Sequence, residues 1–379
     1  AGAAVAVAGL GVSLLPLLAG ADNQNFHRHD RRGNYLAHDY GYNMLVGLRP
    51  DAILFTNGDN DTFPLWYLQQ VEKFRPDVRV INLSLLQTDW YARQLRDLPP
   101  KVPLNLTNAQ ISAVAPRREK NRVVSEKEIL VRAILEANQW MRPVYLAVTV
   151  PDQMGLSEQL QMEGLTFRIH PRAVKSNVNA EVGYDNLVHK YLYRGFMNAD
   201  GTPDTRVYKD EQARRLLQNY TAVGVRVVMG MNELGRREEA LGLMRWVQAA
   251  APDTRPIQMA IGLSWERLAA WDVARAHYEK LLTQYPGDPE VLAQVGHTLA
   301  AAGDSTAAVG WLEKGRAAGP GRFFNTYAEL ATIYQGQKKS DAAVAVLTEW
   351  LRYNAGDPRG QELLARLAPP APAQARAAA

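Results

Sequence analysis

The C-terminal half of this chain repeats every 34 residues, and no other feature of the sequence constrains the fold as much. Ala240, Ala274 and Ala308 are spaced by 34, and so are Pro252, Pro286 and Pro320. Gly262 and Gly296 share that spacing, and Ala343 follows with one residue inserted. Small residues at fixed offsets let two helices approach closely, and a proline at the end of each unit stops the second helix. Leu268, Tyr278, Leu299, Leu312, Tyr327 and Leu347 then fill the interfaces between stacked helix pairs.

This period is that of the tetratricopeptide repeat. Four repeats are expected, over 221–254, 255–288, 289–322 and 324–357, and together they form an all-α solenoid. The tail from 369 to 379 (PPAPAQARAAA) is low in complexity and is expected to be disordered.

The other half reads differently. Residues 34–48 place Tyr35, Leu36, Tyr40, Met44 and Leu48 on one helical face, and Pro50 stops that helix. Residues 52–56 form a short apolar strand, 64–74 a helix and 79–83 (RVINL) a second strand. Strand, helix and strand in so short a span make a parallel βαβ unit. Helical patterns over 89–98 and 125–140 follow, then strands over 143–150 (PVYLAVTV) and 165–169. The expected fold class is therefore α/β plus all-α. A small α/β domain covers 34–172, a helical connector 173–220 and the repeats 221–357.

Residues 1–21 carry no charge, about the length that a transmembrane helix needs. The small residues Ala19 and Ala21 before Asp22 would also suit the end of a signal-peptide core. We expect a transmembrane helix over 1–21 that anchors the chain in a lipid bilayer, with the rest extracytoplasmic (periplasmic). The basic flank from His27 to Arg32 pulls mildly the other way. The 43 Lys and Arg are scattered among 39 Asp and Glu, with no basic stripe, so no nucleic-acid partner is expected. The chain has no cysteine, which excludes disulfides, thiolate metal sites and cysteine nucleophiles.

One stretch carries chemistry beyond packing. In FTNGDNDTFPLWYLQ, residues 55–69, the first strand ends in a run of amides and carboxylates. Asn57, Asp59 and Asp61 alternate as in a calcium loop, but Thr62 and Leu68 stand where that loop needs Gly and Glu. A looser cation site stays open. A second reading is structural: Asp61 or Thr62 caps a helix that begins near Pro64, and Asn57-Gly58 makes the turn. A third is positional, because ligands of open α/β sheets bind beyond the carboxyl ends of the strands. Asn57, Asp59, Asn60 and Asp61 follow the first strand, and Thr88, Asp89 and Trp90 follow the second. Two such loops beside an aromatic ring suit a polyol, so a carbohydrate is a candidate ligand. These seven residues form the candidate binding site. No catalytic residue, metal ligand or cofactor is assigned. His27, His29 and His38 cluster in sequence without metal-site spacing.

Together, the hydrophobic segment, NYLAHDYGYNML, DAILFTNGDNDTFPLWYLQQVEKFRPDVRVINLSLLQTDWY, YDNLVHKYLYRGFMN and VYKDEQARRLLQNY resemble the C-terminal region of a bacterial membrane-protein family. That family is similar to the GT-C protein O-mannosyltransferases that act on plexin-type receptors. The resemblance covers residues 14–253 and implies an extracytoplasmic domain. In GT-C enzymes the catalytic acids lie in the membrane bundle, so the resemblance carries none over to this chain. Two functions follow. In the first, the chain is a non-catalytic, membrane-anchored interaction subunit that binds and stabilises a larger membrane protein complex. The alternative is the soluble C-terminal domain of a multi-spanning GT-C-type glycosyltransferase. The sequence leans away from an enzyme for this chain.

Overall fold

The computed structural model describes residues 24–119 and 122–367. The expected membrane span over 1–21 and the tail over 369–379 lie outside them. Among the described residues no helix is long and apolar enough to cross a membrane. The chain divides into two compact units between Ala251 and Pro252.

The first unit opens with two helices, α1 (Gln24–His29) and α2 (Leu36–Val46). Its sheet is built from β1 (Ile53–Thr56), β2 (Arg79–Asn82), β5 (Val144–Ala147), β6 (Leu160–Met162) and β7 (Thr166–Ile169), in the order β2-β1-β5-β7-β6. β1 pairs parallel with β2, Ile53 opposite Arg79, and parallel with β5, Ile53 opposite Val144. All four residues of β1 and of β5 are buried, as expected for central parallel strands covered on both faces. β7 then runs antiparallel to β5, and β6 antiparallel to β7. Between β1 and β2 lies α3 (Asp59–Gln70), and after β2 come α4 (Asp89–Asp97) and α5 (Asn108–Ser112). A two-stranded hairpin, β3 (Arg117–Glu119) and β4 (Arg122–Val124), precedes α6 (Glu126–Asn138). Sequence pattern missed that hairpin and β6, because three residues are too few to show a period of two.

The segment read as a helical connector is mostly not helical. Only α7 (Ala180–Asp185) and one π turn over Asn186–Lys190 are regular before α8 (Glu211–Glu233). Its aromatic residues collapse onto neighbours instead of making an amphipathic face. The Tyr193 ring lies 5.4 Å from Tyr220 and 4.8 Å from Trp246. Asn43 of α2 ties the segment down: its Nδ2 donates to Tyr220 OH and to the Leu192 carbonyl, each at 2.7 Å, and its Oδ1 accepts from the Leu192 amide. The first helix pair of the repeats, α8 with α9 (Arg237–Ala250), belongs to this unit, and its first helix begins ten residues before 221.

The second unit is helical throughout its described residues. It comprises the pairs α10 (Arg255–Arg267) with α11 (Trp271–Gln284), α12 (Pro289–Ala301) with α13 (Ser305–Ala318), and α14 (Phe324–Gly336) with α15 (Ser340–Tyr353). α16 (Pro358–Leu367) closes the stack, laying Leu363, Leu364 and Leu367 against the core of Ala331, Ala343 and Leu347. Ala274, Ala308 and Ala343 are fully buried, as helix crossings require. Ion pairs recur from repeat to repeat: Arg255 Nε lies 2.7 Å from Asp288, and Arg316 pairs with Glu349. This is a tetratricopeptide-like solenoid.

Candidate functional site

The polar stretch after β1 is a helix start. Gly58 is the N-cap and Asp59, Asn60 and Asp61 are the first three residues of α3, so the helix begins five residues earlier than Pro64 suggested. The Asp61 carboxylate explains why. It is 3% exposed and accepts the Asn57 amide at 2.8 Å, the Gly58 amide at 2.9 Å and the Thr149 hydroxyl. An acceptor at the third helical position satisfies amides that would otherwise have no partner, and its charge suits the positive end of the helix. Thr62 hydrogen-bonds Thr56 Oγ1 at 2.7 Å and accepts Asn82 Nδ2 at 3.2 Å. Asn57, Asp59 and Asn60 stay exposed.

The expected neighbours are only partly brought together. Ser84 Oγ donates to the Asn57 carbonyl at 2.9 Å, so the turns after β1 and β2 touch there. Thr149, which follows β5, reaches Asp61 from the other side, a contact that no sequence pattern signals. Thr88 Oγ1 donates to the Leu85 carbonyl at 2.7 Å. Asp89 pairs with Arg93 at 3.0 Å and accepts from Ser112 at 2.5 Å. Trp90 is 56% exposed and faces elsewhere. It lines a groove of about 710 Å³ along the outer edge of β2, with Trp66, Tyr91 and Arg79. Among the described residues no cluster of three or more His, Asp or Glu is arranged to hold a metal. His38 is bonded to Asp39 at 3.0 Å and to Glu72 at 3.1 Å.

Removing the Asp59 side chain should therefore be nearly neutral. We expect Asp59→Ala to change stability by no more than about 0.5 kcal/mol, the usual span for an exposed surface position. A larger loss in urea titration would mean that the carboxylate has a partner.

The repeat unit holds a second groove, of about 730 Å³, on the first helices of its pairs. Gln294, His297, Asn325 and Glu329 line it, with Glu266 at its wall. His297 Nδ1 lies 3.1 Å from Glu329, and Nε2 lies 3.9 Å from Glu266. The hydrogen bond to Glu329 pushes the His297 pKa up, and burial pushes the Glu266 pKa up. Both groups hold a proton more tightly folded than unfolded. Their stabilisation is complete below the ordinary values and is lost as pH rises through the folded ones. For His297 that window begins at about 6.5. The melting temperature of the repeat unit should fall between pH 6 and pH 8 less steeply in His297→Gln than in the wild type; equal slopes would exclude the pair as the cause.

Residues 37–115 and 105–186 match TMEM260-associated domain 2. The first unit contains a TMEM260-like region. Over 67 residues the chain is 33% identical to the protein O-mannosyl-transferase tmem260 of Dictyostelium discoideum, covering 18% of this chain and 8% of that protein. A 76-residue stretch is 32% identical to the mouse (Mus musculus) protein O-mannosyl-transferase TMEM260, over 20% of this chain and 11% of that protein. The chain thus spans about a tenth of the length of these relatives. Solved structures of similar helical repeats include MamA from residue 41 of Desulfovibrio magneticus RS-1, at 13% identity and TM-score 0.31, over 39% of this chain and 87% of that one. Another is TTC0263, a thermophilic TPR protein of Thermus thermophilus, at 18% identity and TM-score 0.30, over 39% and 80%. The repeat assignment rests on the helix pairs themselves. A TMEM260-like region followed by tetratricopeptide-like repeats is thus the organisation of this chain.

Proposed function

We propose that this chain is a non-catalytic, membrane-anchored extracytoplasmic subunit that binds and stabilises a larger membrane protein complex through its α/β unit and its repeats. The observation that supports this reading is the groove on the repeat unit. Two carboxylates stand there, Glu329 and, beside the Tyr278 hydroxyl, Glu266, with His297 between them. Carboxylates and amides along a groove of this size suit a basic or amide-bearing segment of a partner protein. The anchor is residues 1–21, and deleting them should move the chain from the membrane to the soluble fraction.

A photo-crosslinking residue at Asn325 or Gln294 tests the partner-binding role in cells that carry the native gene. Membrane-protein adducts from both positions, and none from the exposed Lys338, are expected. Adducts that do not depend on position would count against the groove.

The similarity to protein O-mannosyl-transferases favours a second reading, in which the chain is the C-terminal domain of a GT-C-type glycosyltransferase. Reading the gene upstream of Ala1 separates the two. Ten or more membrane spans in frame would support the transferase, and a start codon close by would support the subunit.

A further inference from the structure

The groove along β2 is independent of the repeat unit, and its chemistry is unusual. Arg79 and Lys73 contribute two cations to its lining, which contains no carboxylate. Arg79 is half-buried, its Nε has no hydrogen-bond partner, and the titratable groups acting on it are the Tyr91 phenol and the Arg142 guanidinium, neither of them a carboxylate. Burial accordingly works against its charge. Lys73 sits in the left-handed region at φ 56°, a conformation that costs a non-glycine residue energy and persists only where the surroundings hold it. Toward the other end of β2 stand Trp66 and the exposed ring of Trp90. Gln70 of α3 and Gln94 of α4 bring exposed amide side chains to the groove from either helix.

Extended peptide is disfavoured as the occupant. β2 is the edge strand, but its outward groups are already taken near both ends. The Val78 carbonyl accepts Gln69 Nε2 at 2.7 Å, and the Asn82 amide donates to Tyr91 OH at 3.2 Å. The short stretch between them cannot compensate for those losses, since strand addition needs a free ladder. Indole faces, neutral amides and an uncompensated guanidinium instead match a sugar with an acidic group: ring C–H faces stack on indole, amides bond hydroxyls, and the guanidinium takes an oxyanion in a forked pair. The four residues of β2 span about 13 Å at the usual strand rise, room for two or three hexose rings. We propose that this groove binds a short acidic saccharide, with its anionic group on Arg79 and a ring against Trp90.

The whole chain, titrated by calorimetry and by ligand-observed NMR, tests this with digalacturonate, maltose 1-phosphate and maltose. At least one acidic sugar should bind with a Kd on the order of 1 mM or tighter, and maltose roughly tenfold more weakly or worse. The stronger of the two acidic arms tells carboxylate from phosphate. Arg79→Gln should weaken the acidic arm by about tenfold or more, bringing it to the level of maltose. Its melting temperature should stay level or rise, because an unpaired half-buried charge is gone. Trp90→Ala, at an exposed position, should weaken both arms without lowering the melting temperature. Equal affinity for charged and neutral sugars, no binding in any arm, or unchanged affinity in Arg79→Gln would each overturn the proposal. So would a tetrapeptide with a free carboxylate that binds more tightly than either acidic sugar.

Discussion

Asp61→Ala should cost the first unit about 3 kcal/mol, near the upper end of what one buried polar group contributes. The carboxylate accepts from two backbone amides and from Thr149, and it is almost wholly buried. Alanine leaves all these donors without a partner at the point where α3 leaves β1. An ordinary N-cap loss is about 1 kcal/mol, and burial with the cross-strand hydroxyl raises it. Asp61→Asn should recover part of the loss, since one amide oxygen still accepts from the turn while the amide nitrogen meets donors. Urea titration followed by far-ultraviolet circular dichroism reads both variants. An Asp61→Ala protein as stable as the wild type would mean that water or a rearranged turn replaces the carboxylate.

The sequence carried the signal for this helix start, but it pointed to two places. Asp at the third helical position after a Gly-bearing turn is one signature, and proline in a first turn is another. Pro64 was the stronger local cue, yet it sits inside α3 because the capped start at Gly58 places it in the second turn. What no local cue could supply was Thr149. It lies 88 residues away and reaches Asp61 only because β5 pairs with β1. The groove residue Arg79 was equally hidden. It lies between Val78 and Val80, both buried, and reads as the outward position of an alternating strand. Its neighbours in the groove, Gln94 of α4 and the Pro99-Pro100 turn among them, are brought to it by the fold and not by the local sequence. The parallel β1-β2 pair was legible because its spacing allows one crossover helix and little else. The repeats were legible because packing every 34 residues imposes the same small side chain at the same crossing.

Gly296→Val should destabilise the repeat unit by about 3 kcal/mol, the upper end of overpacking penalties. A Cβ at Gly296 would lie 2.6 Å from Leu312 Cγ and 2.9 Å from the Leu312 backbone nitrogen. A side-chain tip can swing away, but a backbone nitrogen in the middle of α13 moves only if the helix moves. Leu312 is itself fully buried, so the shift would propagate into the adjacent packing. The same crossing in the preceding repeat is tight against Tyr278, with 2.3 Å from a Gly262 Cβ to Cε1. Gly310 supplies the control, on the same helix as Leu312, because a Cβ there meets nothing within 4 Å. Gly310→Ala should therefore be stabilising by roughly 0.5–1 kcal/mol through helix propensity alone. In differential scanning calorimetry the first variant should lower the transition of the repeat unit by on the order of 10 °C, and the second should raise it by a few degrees. Both glycines are helical, so their opposite signs would isolate close approach from backbone entropy. If Gly296→Val instead melts with the wild type, the crossing is looser than 2.9 Å implies and the 34-residue glycine has no packing role.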